Sequence, residues 1–193
     1  VRQPACFVGH GVPAALATAA DPTRAWLGRF GASLRERSPQ GVVCISAHFV
    51  APTFCITTSE APEILRDCDS ESLTVDYRPR GSVALARKVI ESLLYAKLKA
   101  TADPARGLDH GAWLPLSVLF PEADVPVVEL SLHTSLDPEM HFALGRALEP
   151  LRDEGILVLG SGSLTHDLAD HEKIAKDPDA TDVLGERPHR WGR

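Results

Sequence analysis

Apolar residues in this chain fall into two alternating patterns. One is the short unbroken run expected of a strand buried on both faces. The other is the longer stretch with an apolar residue at every third or fourth position, expected of a helix with one face on a core. The runs predict strands at 5–8, 42–47, 54–58, 125–132 and 155–159. Helical periodicity predicts helices at 22–37, 81–99, 114–119 and about 137–151. Asp21 is placed to cap the first of these, with Pro22 at its first position and Trp26, Leu27, Phe30 and Leu34 on its inner face. In the second helix Val83, Ala86, Val89, Ile90, Leu93 and Leu94 form the inner face. The strand at 54–58 is expected beside the strand at 42–47. Residues 59–80 are polar, carry Pro62 and Pro79 and show no sustained period, so they read as a long connection or flap. Strand and helix alternating in this way predict a single α/β domain with a mostly parallel or mixed central sheet and helices on both faces. That domain is expected over residues 1–168, with 169–193 an atypical tail, truncated or disordered.

Composition narrows the class. The chain has 193 residues, enough for one domain with a sizeable core, and 44% hydrophobic with 24% charged residues is the balance of a soluble globular protein. A net charge of −6 without a basic stripe argues against nucleic acid as a partner. No apolar run approaches the roughly 20 residues of a membrane span, and the start VRQPACFVGHG has no secretory pattern. The four cysteines form no CxxC pair, and Cys6 and Cys44 lie inside apolar runs. A reduced, cytoplasmic protein without membrane contact is the expectation. Self-association is left open, a homo-oligomer included.

The candidate chemistry lies in histidines. Three apolar runs stop at a turn that carries one: ACFVGHG at His10, GVVCISAH at His48 and GILVLGSGSLTH at His166. Ligands of open α/β sheets bind where strands end at their carboxyl edge, so three imidazoles delivered there suggest a metal site. His110, in the turn GLDHG, is a fourth candidate, with Asp109 beside it. Imidazole suits Zn(II) and Fe(II), and a spare imidazole near the ion can exchange protons at neutral pH. Asp109 and Asp167 are read as capping turns or orienting the adjacent rings in preference to ligating directly. His133, His141 and His171 belong to surface segments and His189 to the tail. Competing motifs fail: GSGS after the last strand completes neither GxxxxGK[ST] nor GxGxxG, GSGSL does not complete GxSxG, and HExxH is absent.

Taken in order, FVGHGVP, ISAHF, GLDHGAWLPL followed by FPEADVPVVELSL, and GSGSLTH resemble the class III extradiol ring-cleaving dioxygenases, specifically the DOPA 4,5-dioxygenase-like branch of the LigB superfamily. The resemblance runs from the N-terminus to about Leu168. It implies a mononuclear metal-dependent oxidoreductase, with one Fe(II) or Zn(II) per chain, that opens the ring of a small catechol-type diol and incorporates both atoms of O2. By that likeness His10 and His48 are metal ligands, and His166 is a third ligand or the acid/base. His110 is a catalytic residue lining the pocket, and Phe49, Asp109 and Ser163 are expected to meet the substrate. Relatives tend to carry tryptophan where this chain has Phe49, asparagine where it has Asp167, and an aromatic, glycine-rich stretch near residues 66–80, here LRDCDSESLTVDYRPRG. They also tend to continue for several tens of residues past GSGSLTH. The other readings are a non-catalytic metal-binding remnant of the same fold and a metal-dependent hydrolase using His10, His48 and His166 to activate water.

Overall fold

Neighbouring residues of the central strands point into different cores, and this alternation builds the molecule in three layers. A computed structural model describes residues 1–11, 13, 16, 18–68 and 76–163. Its strands are β1 (Ala5–Gly9), β2 (Gly41–Ala51), β3 (Phe54–Thr57), β4 (Ala100–Asp103), β5 (Val127–His133) and β6 (Ile156–Gly162). Its helices are α1 (Pro22–Arg35), α2 (Val83–Tyr95), α3 (His110–Leu119) and α4 (Pro138–Leu148), the last running into a 3-10 turn at Glu149–Arg152. The strand order is β1-β6-β2-β5-β3-β4. Val42, Cys44, Val127, Leu157 and Leu159 pack with Leu27 and Leu34 of α1 and Ala112, Trp113 and Leu116 of α3. Val43, Val128, Leu130, Ile156 and Val158 pack with Leu85 and Val89 of α2 and Leu144 and Leu148 of α4. This is the α/β sandwich that the alternating pattern implies, with a mixed sheet covered on both faces. No helix among the described residues is long and apolar enough to cross a membrane.

Local chemistry accounts for the helix starts. Asp21, Ser82, Asp109 and Asp137 each cap a helix by accepting a hydrogen bond from a main-chain N–H of its first turn. Pro22 and Pro138 occupy first helical positions, where a missing N–H costs nothing. α1 and α3 approach closely at Gly31, where a Cβ would lie 2.5 Å from the Leu119 carbonyl oxygen.

Four features differ from expectation. The strand at 54–57 is not beside β2: β5 lies between them, and β3 pairs with β5 antiparallel and with β4 parallel. β4 itself, of sequence ATAD, lies where the second helix was expected to fade out. Alanine and aspartate carry little strand signal, and the strand is held by its pairing to β3 at the sheet edge. Val83 and Leu94 face outward, and Leu85 takes the inner position. Trp26 is half exposed and stacks on Phe30 with ring centroids 5.2 Å apart, so it lies over the core edge rather than in it.

The β5–β3 junction has a particular construction. Only Ile56 and Leu130 pair there as a backbone ladder. Hydroxyl groups supply the neighbouring links: the Cys55 N–H donates to Ser131 Oγ at 2.9 Å, Ser131 Oγ donates to the Thr53 carbonyl at 3.3 Å, and the Glu129 N–H donates to Thr57 Oγ1 at 2.8 Å.

Candidate active site

Each of the three described histidines of interest reaches its place by a different local device. His10 follows β1 directly, and its N–H extends the β1–β6 pairing to the Gly162 carbonyl at 3.1 Å. The chain then turns at Gly11, whose φ of +59° is a left-handed conformation suited to glycine. His10 is buried, with Nδ1 2.9 Å from Ser161 Oγ of β6.

His48 was expected to follow the end of its strand; it lies inside β2 instead. β2 pairs with β5 through Ile45↔Leu130 and resumes at Val50↔Leu132, so four residues of β2 face one of β5. This outward excursion of Ser46-Ala47-His48-Phe49 lifts His48 off the sheet, as bulges beside functional sites do. Its N–H is held by Ser46 Oγ at 3.1 Å. His110 is the first residue of α3, one turn earlier than the helix predicted from residue 114.

The three rings converge. His48 Nε2 lies 3.2 Å from His10 Nε2, and the ring centroids are 5.2 Å (His10–His48), 5.6 Å (His10–His110) and 4.0 Å (His48–His110) apart. One nitrogen of each lies within 4.8 Å of those of the other two, a donor set of the size that holds a metal ion. Asp67, Cys68 and His110 form a second set within the same limit. Asp67 takes hold of His110 twice, accepting its main-chain N–H at Oδ1 (3.0 Å) and meeting its Nδ1 at Oδ2 (2.9 Å). An ionised carboxylate only accepts, so Nδ1 of a neutral His110 carries the proton and Nε2 keeps its lone pair.

Behind the rings lies a buried polar network. Ser46 Oγ donates to Asp109 Oδ1 at 2.6 Å, and Arg106 donates to Asp109 Oδ2 at 2.9 Å while its guanidinium lies 3.8 Å above the centre of the Phe49 ring. Asp109 also caps α3 through the Ala112 N–H, and its own N–H donates to Glu129 Oε2 at 3.1 Å. Glu129 is fully buried in the middle of β5. Burial, and then the hydrogen bond and charge of Asp109, push its carboxyl well above the ordinary 4.5. For Asp109, burial pulls upward, but hydrogen bonds from Glu129 and Ser46 and the Arg106 charge outweigh it and hold the carboxyl below 3.8. Within the pair, Glu129 therefore holds a proton more tightly than Asp109 does. Gly111 makes this packing feasible: a Cβ there would lie 2.4 Å from Ser46 Oγ and 2.9 Å from His48 Cδ2.

The structure thus brings His10, His48 and His110 together, and buries Phe49 and Asp109 at 5% and 1% exposure. Ser163 is exposed at the end of β6. His166, Asp167 and residues 169–193 lie outside the described residues. Asp67, Ser46, Ser161, Arg106 and Glu129 were not among the residues singled out from sequence. Glu129 had a visible signal, a lone charge within the apolar run VVELSL, because a carboxyl buried in a strand needs a partner.

The family described as the catalytic LigB subunit of aromatic ring-opening dioxygenase matches residues 9–188. The chain belongs to the LigB family. Within the LigB superfamily it falls in the DOPA 4,5-dioxygenase-like branch. It is 38% identical over 171 residues to the 4,5-DOPA dioxygenase extradiol of Escherichia coli K12, covering 86% of this chain and 61% of that protein. It is 35% identical over 164 residues to the protein of the same name from Beta vulgaris, covering 83% of this chain and 61% of the relative. A crystal structure of an uncharacterised protein from Escherichia coli K12 superimposes with a TM-score of 0.71 at 34% identity, covering 88% of this chain and 63% of that one. The chain thus spans about three fifths of the length of these LigB relatives.

Proposed function

We propose that this chain carries the active site of an extradiol dioxygenase that opens the ring of a small catechol-type diol with O2. The observation that carries this reading is the convergence of His10, His48 and His110 at the carboxyl edge of the sheet, in a chain of the LigB family. The donor set fits a mononuclear Fe(II) or Zn(II) site: three imidazoles each bring a nitrogen within 4.8 Å of the others, and Nδ1 of two of them is held by Ser161 and Asp67. His10 and His48 would hold the ion, with His166 as a third ligand or as an acid/base. When bound, the ion supplies chelation of the two diol oxygens, positive charge that lowers their pKa, and, as Fe(II), access to O2.

The protein's own groups do the rest. His110, its Nδ1 committed to Asp67, offers Nε2 to accept a diol proton and return it later. Phe49 and Asp109 act indirectly: Phe49 seats Arg106, Arg106 fixes Asp109, and Asp109 starts the helix that presents His110. Ser163, exposed just past the end of β6, would meet the substrate.

The test is anaerobic loading of the chain with Fe(II), followed by a panel of catechols and air, read as O2 uptake and yellow ring-cleavage products. Uptake with at least one catechol is expected. Tight metal binding without uptake on any catechol would instead identify a non-catalytic metal-binding protein. His10→Ala and His48→Ala are each expected to abolish stoichiometric metal binding, and binding retained in both rejects them as ligands. His110→Ala is expected to keep the metal and lower turnover by about 10²–10⁴-fold, the usual range for loss of a general acid/base.

A further inference from the structure

The loop before α3 and the segment after β3 are joined in a way that the polar sequence of 59–68 does not announce. Leu65 N–H donates to the Leu108 carbonyl and Leu108 N–H to the Glu63 carbonyl, both at 2.8 Å, so the two segments run as a short parallel bridge. Trp113 Nε1 adds a third link to the Leu65 carbonyl at 3.1 Å. Gly107 permits the approach, since a Cβ there would sit 2.3 Å from the Glu63 carbonyl oxygen. The bridge ends with Asp67 against the first turn of α3.

There Asp67 does two jobs with its two oxygens. Oδ1 accepts the His110 main-chain N–H, one of the helix's otherwise unpaired first-turn donors, and Oδ2 meets Nδ1 of the ring. A negative charge at a helix N-terminus is itself favoured by the helix dipole. With both oxygens on His110, the geometry is that of a clamp rather than of a second metal site with Cys68.

We infer that Asp67 is the positioning residue of the reaction, fixing His110 as the Nδ1–H tautomer with its Nε2 lone pair turned to the site. This rests on the dioxygenase reading for its catalytic meaning. The clamp makes a sharp prediction for Asp67→Asn. Only the amide oxygen can accept the His110 N–H, so the amide NH2 is left facing Nδ1 and must donate to it. The proton then moves to Nε2, and the lone pair that the site needs is lost. The carboxamide occupies the same space as the carboxylate, so the fold should be kept, and far-UV circular dichroism with the thermal midpoint checks that.

The experiment uses the full chain labelled with 15N-histidine, with and without Zn(II), and reads the His110 tautomer from long-range proton–nitrogen correlations. Wild type should show Nδ1–H and Asp67→Asn should show Nε2–H. In the Fe(II)-loaded enzyme the same variant should lose about 10–100-fold in kcat with little change in KM, the scale seen when groups orienting site histidines are removed. Asp67→Glu, which keeps two accepting oxygens, should retain the wild-type tautomer and recover part of kcat. An unmoved tautomer in Asp67→Asn overturns the inference, as does a moved tautomer with kcat unchanged in an active enzyme. If wild type opens no catechol while the tautomer inverts in the variant, the dioxygenase reading fails and the clamp on His110 stands.

Discussion

Glu129 is the residue whose behaviour follows most directly from its surroundings. Its folded pKa lies well above 4.5, so the folded chain holds its proton more tightly than the unfolded chain does. The stabilisation is complete below the ordinary 4.5 and is lost as pH climbs from there through the raised folded value. Asp109 has the opposite sign: its contribution is present above 3.8 and lost as pH falls through its lowered value. Glu129→Gln keeps an acceptor for the Asp109 N–H and the shape of the side chain, but cannot ionise. Urea midpoints measured across the weakly acidic to alkaline range should therefore fall with pH in wild type and stay flatter in Glu129→Gln. A parallel fall in both would show that Glu129 is not the group responsible. Glu129→Ala, which strands a buried N–H, is expected to cost about 1–3 kcal/mol. At this scale the flanking glycines made the turns at His10 and His110 legible, whereas the excursion that carries His48 inside β2 left no such mark. Asp67 was illegible, because it meets His110 across 43 positions through a bridge of irregular segments that leaves no periodic trace.

Elements were legible where burial dictates pattern and illegible where pairing alone holds them. β5 and β6 are buried on both faces and read as apolar runs, whereas β4 presents Ala-Thr-Ala-Asp to its surroundings and gives no such signal. The neighbour of β3 could not be read either, because Phe54 and Ile56 enter the same core whether β2 or β5 lies beside them. The excursion in β2 hid in the same way: ISAHFVA continues a plausible strand, and only the register to β5 shows that four residues leave the ladder. Its contact with α3 makes two glycines opposite in their effect. Gly111→Ala must displace Ser46 or His48, and is expected to cost about 1–3 kcal/mol and weaken metal binding. Gly28→Ala on α1 meets nothing within 4 Å and is expected to gain about 0.5–1 kcal/mol by helix propensity. Urea midpoints of both variants check the pair. Equal shifts would mean that the crowding at Gly111 is relieved by movement elsewhere.

For the molecule as a whole, alternation of strand and helix dictates the layer architecture, since helices on both faces are what doubly buried strands require. The histidines gather where β1 ends and β2 bulges, at the edge where such sheets bind ligands. The junction between β5 and β3 divides the same sheet differently. On one side, β1, β6, β2 and β5 share long parallel ladders; on the other, β3 and β4 join them through one ladder pair and three hydroxyl-mediated bonds. Side-chain hydroxyls make the same bonds to water with little rearrangement, so this seam is where the protein should come apart in stages. Native-state hydrogen exchange should show the amides of β3 and β4 opening as one cooperative unit at lower free energy than those of β2 and β6. Uniform protection across all six strands would instead make the sheet a single unit. If the boundary holds, His10 and His48 ride on the slow-opening block, and partial unfolding can loosen one flank of the protein without dissolving their part of the site.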